Sequence, residues 1–403
     1  MKGGSTLFAD HTLRRKKNVS ARLCSSGGRV AVLFVWGMAH LWRPAFIKTL
    51  GLVLGLSLLA GAFLGGCMGS GLTGDFLIAF VSKLEGQRGL FVMHSDGSAV
   101  RRLTSDTLLV IRPSAWSPDG RRILFFPFRP GPGPAQAAAG SVPRANLDMH
   151  VSPPVLIDAD GQNERRLSDQ RVVSDCSWSP DSTRVVCSSG AELPEGVALY
   201  VFDVGTRVRT RVTSGASVDM APAWSADGKH IAFSSSRSRT RPFKRNIFVI
   251  DADGTHERQL TDGDDADVMP AWSPDGRSVA FVRSGFSGTN LFVVDAARPK
   301  PRMLPTAYGS QPPAWSRDGR QIMYVCPEGI CLVDPRQGEA HVLVEGGHPV
   351  DAVLAPDATR VIYRSSDGPS WNIYAFDLRM HARVKLTNDG EDIMFAVSPL
   401  LPR

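Results

Sequence analysis

The chain has 403 residues, 43% hydrophobic and 21% charged, a composition that can bury a core and excludes a disordered chain. Its 39 glycines and 28 prolines make it turn-rich and disfavour an all-helical bundle. The formal charge of +7 belongs to the first 66 residues, which hold nine basic residues and the single acid Asp10; 37 basic and 38 acidic residues remain after them. That balance excludes nucleic-acid binding driven by charge.

Residues 49–66 form an uncharged apolar run, TLGLVLGLSLLAGAFLGG, preceded by Arg43 and Lys48 and followed by Cys67. A cationic start, an apolar middle and small residues before a cleavage point describe a secretory signal. Leu64-Gly65-Gly66-Cys67 resembles the bacterial lipobox, in which the cysteine thiol is lipidated and becomes the mature N-terminus. An uncleaved signal anchor is the alternative, because eighteen residues is near the lower limit for a spanning helix. Starting at Met38 gives a leader of conventional length, so residues 1–37 read as an over-extended gene start and 38–66 as the lipoprotein signal peptide. Residues 67–74 are then a short tether. Met68, rather than Asp, follows the lipidated cysteine, and at the family level this implies outer-membrane sorting in a two-membrane bacterium.

A repeat governs the rest of the chain. Trp116-Ser117-Pro118-Asp119-Gly120 recurs with variations at Trp178, Trp224, Trp272 and Trp315. It recurs in decayed form as Leu354-Ala355-Pro356-Asp357-Ala358 and in truncated form as Val397-Ser398-Pro399. A period in the forties with strand-like content signals four-stranded propeller blades. Each unit adds a short apolar strand such as Ile231-Ala232-Phe233, a variable loop, and a β-rich run such as Asn246 to Ile250. An Asp-x-Asp-Gly turn and a strand ending in Leu-Thr complete it. Proline pre-sets φ in these turns, Asp bonds locally and Gly supplies φ > 0. The first unit lacks a preceding Trp-Ser-Pro-Asp-Gly strand, whereas the C-terminus has that strand and nothing after it. Joining the two closes an all-β, seven-bladed propeller over residues 75–399, with six blades as the alternative. Within it, residues 127–147 (PFRPGPGPAQAAAGSVPRANL) read as an exposed insertion.

These repeats, with Asp-x-x-Pro-x-Trp-Ser-Pro-Asp-Gly, Ile-Ala-Phe, Asp-x-Asp-Gly and Leu-Thr in order, resemble the TolB-type branch of the WD-like β-propellers. The resemblance implies the propeller fold. The chain departs from the family's namesake, a soluble periplasmic protein with an α/β domain before its propeller. Here a lipobox and only a short tether precede the first strand, so the Tol–Pal role does not transfer with the fold.

Beyond Cys24 and Cys67, four cysteines fall in two local pairs. Cys326 and Cys331 bracket a hairpin loop; if the four residues between them form it, the two are directly opposed, at disulfide distance. Cys176 and Cys187 flank the Trp178 turn. A two-residue turn sets them diagonally on one face, and a three-residue loop with αL at Ser182 sets them on opposite faces. An exported compartment permits both bridges.

Asp219, Asp267 and Asp392 each stand five residues before the Trp position of their repeats. That strand is innermost in a propeller, so equivalent positions gather at the channel mouth, where His348 also falls. Asp264 and Asp265 beside Asp267 make a weak Ca²⁺ site conceivable, and no other cofactor is expected; the alternative is that these acids cap turns. The repeat tryptophans read as inter-blade packing. Gly-x-Ser-x-Gly and Gly-x-x-x-x-Gly-Lys-Ser/Thr motifs do not occur. The expected function is a monomeric, lipid-anchored, extracytoplasmic module that binds an envelope protein or peptide without catalysis. The alternatives are a metal-dependent carbohydrate- or uronate-active enzyme and a structural envelope lipoprotein.

Overall fold

The computed structural model describes residues 76–400 except 85–86, 105–108, 129–152, 169–175, 191–195, 215–216, 238–243, 287, 307–310, 367–369, 389–391 and 393. The leader, the tether with Cys67, and positions 129–147 of the insertion lie outside these residues. The described strands form seven four-stranded antiparallel sheets arranged as the blades of a propeller, not six. Blade 1 joins the two ends of the described chain, in the order Met394–Val397, Leu77–Leu84, Gln87–His94 and Arg101–Arg102. Its closing register sets Ile78 opposite Val397 and Val81 opposite Met394. The inner strands of blades 2 to 7 are Leu109–Trp116, Cys176–Trp178, Asp219–Trp224, Ala266–Trp272, Ala314–Trp315 and Pro349–Leu354.

Strand period explains why these segments read as nearly continuous apolar runs. Successive side chains point to opposite faces, and each blade has a neighbour on both. In blade 4, Ile231, Phe233, Phe248 and Ile250 pack toward blade 3, while Ala232, Ile247 and Val249 pack toward blade 5. The buried apolar residues accordingly fall into seven clusters, one between each pair of neighbouring blades. Equivalent aromatic pairs recur within these layers, with ring centroids 5.7 Å apart for Phe80–Phe91, 5.8 Å for Phe233–Phe248, 5.5 Å for Phe281–Phe292 and 5.6 Å for Tyr363–Tyr374.

Two polar devices stitch the blades together. The Trp116 Nε1–H donates to the Ala396 carbonyl (3.2 Å), Trp178 to Ala115 (3.3 Å), Trp272 to Ala223 (3.1 Å) and Trp315 to Ala271 (3.0 Å), so each indole reaches the preceding blade. Trp224 is the exception, its buried Nε1 finding no acceptor among the described residues while Arg184 lies 4.9 Å over its ring. At the outer edge, the arginine two residues before the repeat leucine reaches the turn of the next blade. Arg101 donates to the Asp160 carbonyl (2.8 Å), Arg258 to Ala296 (2.5 Å) and Arg302 to Pro335.

The Trp-Ser-Pro-Asp-Gly turn is held by its own side chains. The Ser225 hydroxyl donates to Asp227 (2.6 Å) and accepts from the His230 N–H (2.9 Å), while Asp227 accepts from the Lys229 N–H (3.0 Å). Equivalent bonds recur at Ser117, Ser179, Ser273 and Ser316. Blade 7 lacks the serine. There Arg360, buried on the Phe76 ring, donates to Asp357 (2.6 and 2.9 Å) and to Ser95 Oγ (3.0 Å), tying the decayed turn to blade 1.

The last turn position is left-handed in the six copies where it is described: φ is 70° at Gly120, 69° at Gly228, 68° at Gly276 and Gly319, 61° at Ser182 and 53° at Ala358. Only the last two carry a Cβ there. Ser182 is compensated, because its hydroxyl accepts from the Asp119 N–H (3.0 Å) in blade 2, and Ala358 is not. Ala358→Gly is therefore expected to stabilise the protein by about 0.5–1 kcal/mol in denaturant unfolding, while Ser182→Gly brings no gain. A second expectation concerns acid. The hydroxyls of Ser225, Ser273 and Ser316, helped by backbone N–H groups, hold Asp227, Asp275 and Asp318 below the ordinary carboxyl value of 3.8. Their contribution is complete above that value and is lost as pH falls through their depressed folded values. Thermal unfolding followed from pH 5 to pH 3 should show a falling midpoint, with a flatter slope in the triple Asp→Asn variant.

Candidate functional site

Each inner strand runs from the mouth that holds Asp219, Asp267 and Asp392 toward the end that holds the tryptophan turns. Asp219 and Asp267 open the inner strands of neighbouring blades 4 and 5 and are fully buried. Asp392, 1% exposed, precedes the inner strand of blade 1, three blades away from either. The three carboxylates therefore share one end of the ring without converging on one ligand. His348 is exposed on the way into the blade 7 inner strand, with φ at 44°.

Each buried carboxylate is engaged. Asp219 accepts from the hydroxyls of Ser235 (2.6 Å) and Ser217 (2.8 Å) and from Arg237 (3.3 Å). Both oxygens of Asp267 accept from Arg283, at 2.6 and 2.8 Å. Asp392 accepts from the Thr387 hydroxyl. Arg364 donates to the Asp392 carbonyl (3.4 Å) and to the Asp351 carboxylate (2.9 Å). The guanidinium groups also rest on aromatic faces: Arg237 lies 4.9 Å from the Phe248 centroid, Arg283 4.6 Å from Phe292 and Arg364 5.0 Å from Trp371. The mouth is thus rimmed by arginines fixed from below by carboxylates and from the side by rings.

This arrangement bears on the calcium reading. A hard cation needs several free oxygens, and at Asp267 a bidentate guanidinium already holds both. The hydrogen bond it donates to Asp267, with the charges of Asp267, Asp265 and Asp262, raises the Arg283 pKa. Asp264 is exposed and pairs with Lys244 (3.1 Å). Asp265 lies against Gly285, where a Cβ would stand 2.2 Å from its Oδ1, and a Cβ on Gly263 would stand 2.7 Å from Arg283 Nη2. Those two glycines admit a cluster of acids around an arginine.

The arginines were the residues that sequence reading missed. Their signal is weak but present, since Arg283 and Arg364 follow the apolar second strand at Val-Ala-Phe-Val-Arg and Val-Ile-Tyr-Arg. Also missed were matching β-bulges in blades 4 and 5, where Ala221 (φ 51°) and Met269 (φ 55°) shift the register just after the buried aspartates. Such bulges re-aim side chains at a strand end.

Both local cysteine pairs are bridged, in registers that differ from the sequence expectation. Cys326 pairs with Gly329 across a two-residue Pro327-Glu328 loop, and Cys331 stands opposite Tyr324, so Cys326 and Cys331 are diagonal neighbours with Cα atoms 5.9 Å apart. Cys176 and Cys187 are directly opposed, neither diagonal nor on opposite faces, with Cα atoms 4.2 Å apart. The reason is that the chain reverses over the four residues 180–183, inside the Ser179 N–H to Arg184 carbonyl bond (2.9 Å), rather than over two or three.

A cavity lies at the opposite end of the ring. The tryptophan position becomes Leu354 in blade 7 and Val397 in blade 1, and beside them a cavity of about 550 Å³ is lined by Pro118, Trp315, Arg317, Leu354, Pro356 and Pro399. Trp315 is only half-buried there, unlike the other four repeat tryptophans.

The profile of the TolB beta propeller domain matches residues 153–401. A protein TolB homolog of Chlorobium chlorochromatii is 28% identical over 163 residues, which is 40% of this chain and 31% of the relative. A Tol-Pal system protein TolB of Alcanivorax borkumensis is 32% identical over 82 residues, 20% of this chain and 18% of that one. The chain thus matches under a third of the length of these relatives. Among solved structures, an oligogalacturonate lyase in complex with manganese superposes with a TM-score of 0.55 at 13% identity, covering 75% of this chain and 85% of the lyase. At that identity the likeness is one of fold.

Removing the Asp267 carboxylate leaves the Arg283 guanidinium without its bidentate partner. Asp267→Ala is expected to lower stability by about 3–5 kcal/mol in denaturant unfolding, the usual consequence of breaking a buried pair. A smaller loss, within about 1 kcal/mol, would show that the pair is solvated.

Proposed function

We propose that this chain, which belongs to the TolB beta propeller family, is a non-catalytic module that binds a protein or peptide of the cell envelope. It acts outside the cytoplasm, tethered by lipid on Cys67, and engages its partner at the mouth framed by Asp219, Asp267, Asp392 and His348. The observation that carries this reading is the construction of that mouth. The Asp219 and Asp267 carboxylates are buried and so do not touch a partner themselves; they hold Arg237 and Arg283, while Asp351 and the Asp392 carbonyl hold Arg364, and the three arginine side chains stay 24, 20 and 16% exposed. Pre-organised arginines flanked by aromatic rings suit a protein interface, because little side-chain freedom is lost on docking.

An enzymatic propeller remains the alternative reading, motivated by the fold shared with the lyase. It requires metal ligands that converge. Here Asp219 and Asp267 are saturated by arginines and hydroxyls, and Asp392 lies three blades away, which favours the binding reading.

The test is crosslinking and affinity capture from native envelopes with the wild-type chain and an Arg237→Ala/Arg364→Ala/His348→Ala variant, with intact mass measured on the same preparations. One envelope protein enriched by wild type and lost from the variant, with an acyl-bearing Cys67 as the first residue, is the expected result. Equal capture by both chains would overturn the mouth as the interface. Cys67 unmodified within an intact leader would overturn the lipid tether, and turnover of a uronic-acid oligomer by the purified chain would replace the binding reading with the enzymatic one.

A further inference from the structure

Blade 4 carries a histidine–carboxylate–histidine cluster at the end of the ring that holds the tryptophan turns, away from the mouth described above. His230 begins the strand His230–Ser235 and pairs across the sheet with Asp251, which ends Asn246–Asp251. His256 occupies the left-handed position of the following turn, with φ at 51°. The two imidazoles address the two oxygens of one carboxylate: His230 Nδ1 is 2.8 Å from Asp251 Oδ1, and His256 Nδ1 is 2.9 Å from Asp251 Oδ2.

The repeat itself asks for less than this. In blade 2 the corresponding carboxylate, Asp158, pairs across the sheet with Arg122 and accepts from the Asn163 Nδ2 at 2.7 Å, Asn163 holding the same left-handed position with φ at 54°. A donor at each position satisfies the turn. Blade 4 uses imidazoles at both, and an imidazole is a metal ligand as well as a donor.

Access is present, and one of the two imidazoles is held in place. His230 is steadied by the Trp272 ring, stacked at a centroid distance of 6.2 Å. As they stand, the ligand atoms of His230, Asp251 and His256 do not all lie within 4.8 Å of one another, so the His256 imidazole, 82% exposed, has to swing toward His230 for the two to share one ion. The Thr255 hydroxyl, 3.0 Å from His256 Nδ1 and hydrogen-bonded to Asp253 (2.6 Å), lies beside it.

We propose that His230, Asp251 and His256 form a surface site for a borderline divalent transition-metal ion of the Zn²⁺ type, with water completing its coordination. Two nitrogen donors and one carboxylate select against Ca²⁺ and Mg²⁺, which take oxygen ligands. A ligating imidazole nitrogen must be free of its proton, so binding weakens at acid pH.

The test is isothermal titration of the full chain with Zn²⁺ in metal-free buffer at neutral pH, alongside His230→Ala, His256→Asn and their double variant. His256→Asn preserves the turn, because asparagine already serves that position in blade 2, and removes only the ligand. A double variant retaining the wild-type circular dichroism reports binding by the chain's other groups. One Zn²⁺ per chain above that background, weakened about tenfold or more by either single substitution, is the expected result. Affinity unchanged in His256→Asn, or wild-type binding no tighter than that of the double variant, would overturn the site. Calcium competing with Zn²⁺ at equal concentration would overturn the nitrogen-donor assignment.

Discussion

A sheet with two apolar faces is stable only between two neighbours, and that requirement organises this molecule. Phe233 and Ala232 are adjacent in sequence yet belong to different inter-blade layers, so no blade can bury its side chains alone. A linear stack of such blades would leave two bare faces and two sets of open strand edges. The ring removes the bare faces, provided that the strand Met394–Val397 pairs with Leu77–Leu84. Closure comes from residues more than 300 positions apart, so the last strand holds the first blade in place. The Leu77 N–H donating to Ser398 Oγ (2.8 Å) adds a polar clasp at the same seam.

Around that ring the repeat is enforced unevenly, and the exceptions show what it has to supply. Serine fastens the first turn in five copies; where it is missing, in blade 7, a buried arginine takes over and bonds the adjacent blade as well. Glycine occupies the left-handed position in four copies, serine in blade 3 with a compensating inter-blade hydrogen bond, and alanine in blade 7 with none. Tryptophan is absent from the corresponding position in blades 7 and 1, and the cavity beside Trp315 lies there. Decay is concentrated where the chain closes on itself.

The ring and its seven units are legible in the sequence because they rest on local rules. Turn chemistry and alternation recur at a countable spacing, and the unpaired half-units at the two ends imply the closing pair. The cysteine registers were less legible, because register depends on how many residues the turn consumes. A two-residue loop at Pro327-Glu328 and a four-residue turn at 180–183 look alike in composition. The acids were legible as a set and misleading as a ligand cluster. Their shared position relative to tryptophan places Asp219, Asp267 and Asp392 at one end, but ring order sends Asp392 to the far side. Their guanidinium partners come from across the sheet or beyond it, 18 residues away for Arg237 and 16 for Arg283. A one-dimensional pattern does not mark those pairings.

The two ends of the ring are therefore under different constraints. At the tryptophan end, short turns of fixed length carry the bonds that join blade to blade: indole to carbonyl, serine to aspartate, arginine to the next turn. A change there propagates into packing, so new chemistry can enter only at side chains that still satisfy the turn, as the paired imidazoles on Asp251 do. At the other end, the second and third strands are joined by as few as two residues, Pro327-Glu328, and in blade 2 the second strand ends at Phe128 and the third begins only at Val155. The length of this connection does not affect the inter-blade bonds. The buried aspartate–arginine pairs lie between these regimes, rigid from below and open above. A recognition surface can diverge on such a base while the ring beneath it keeps its geometry.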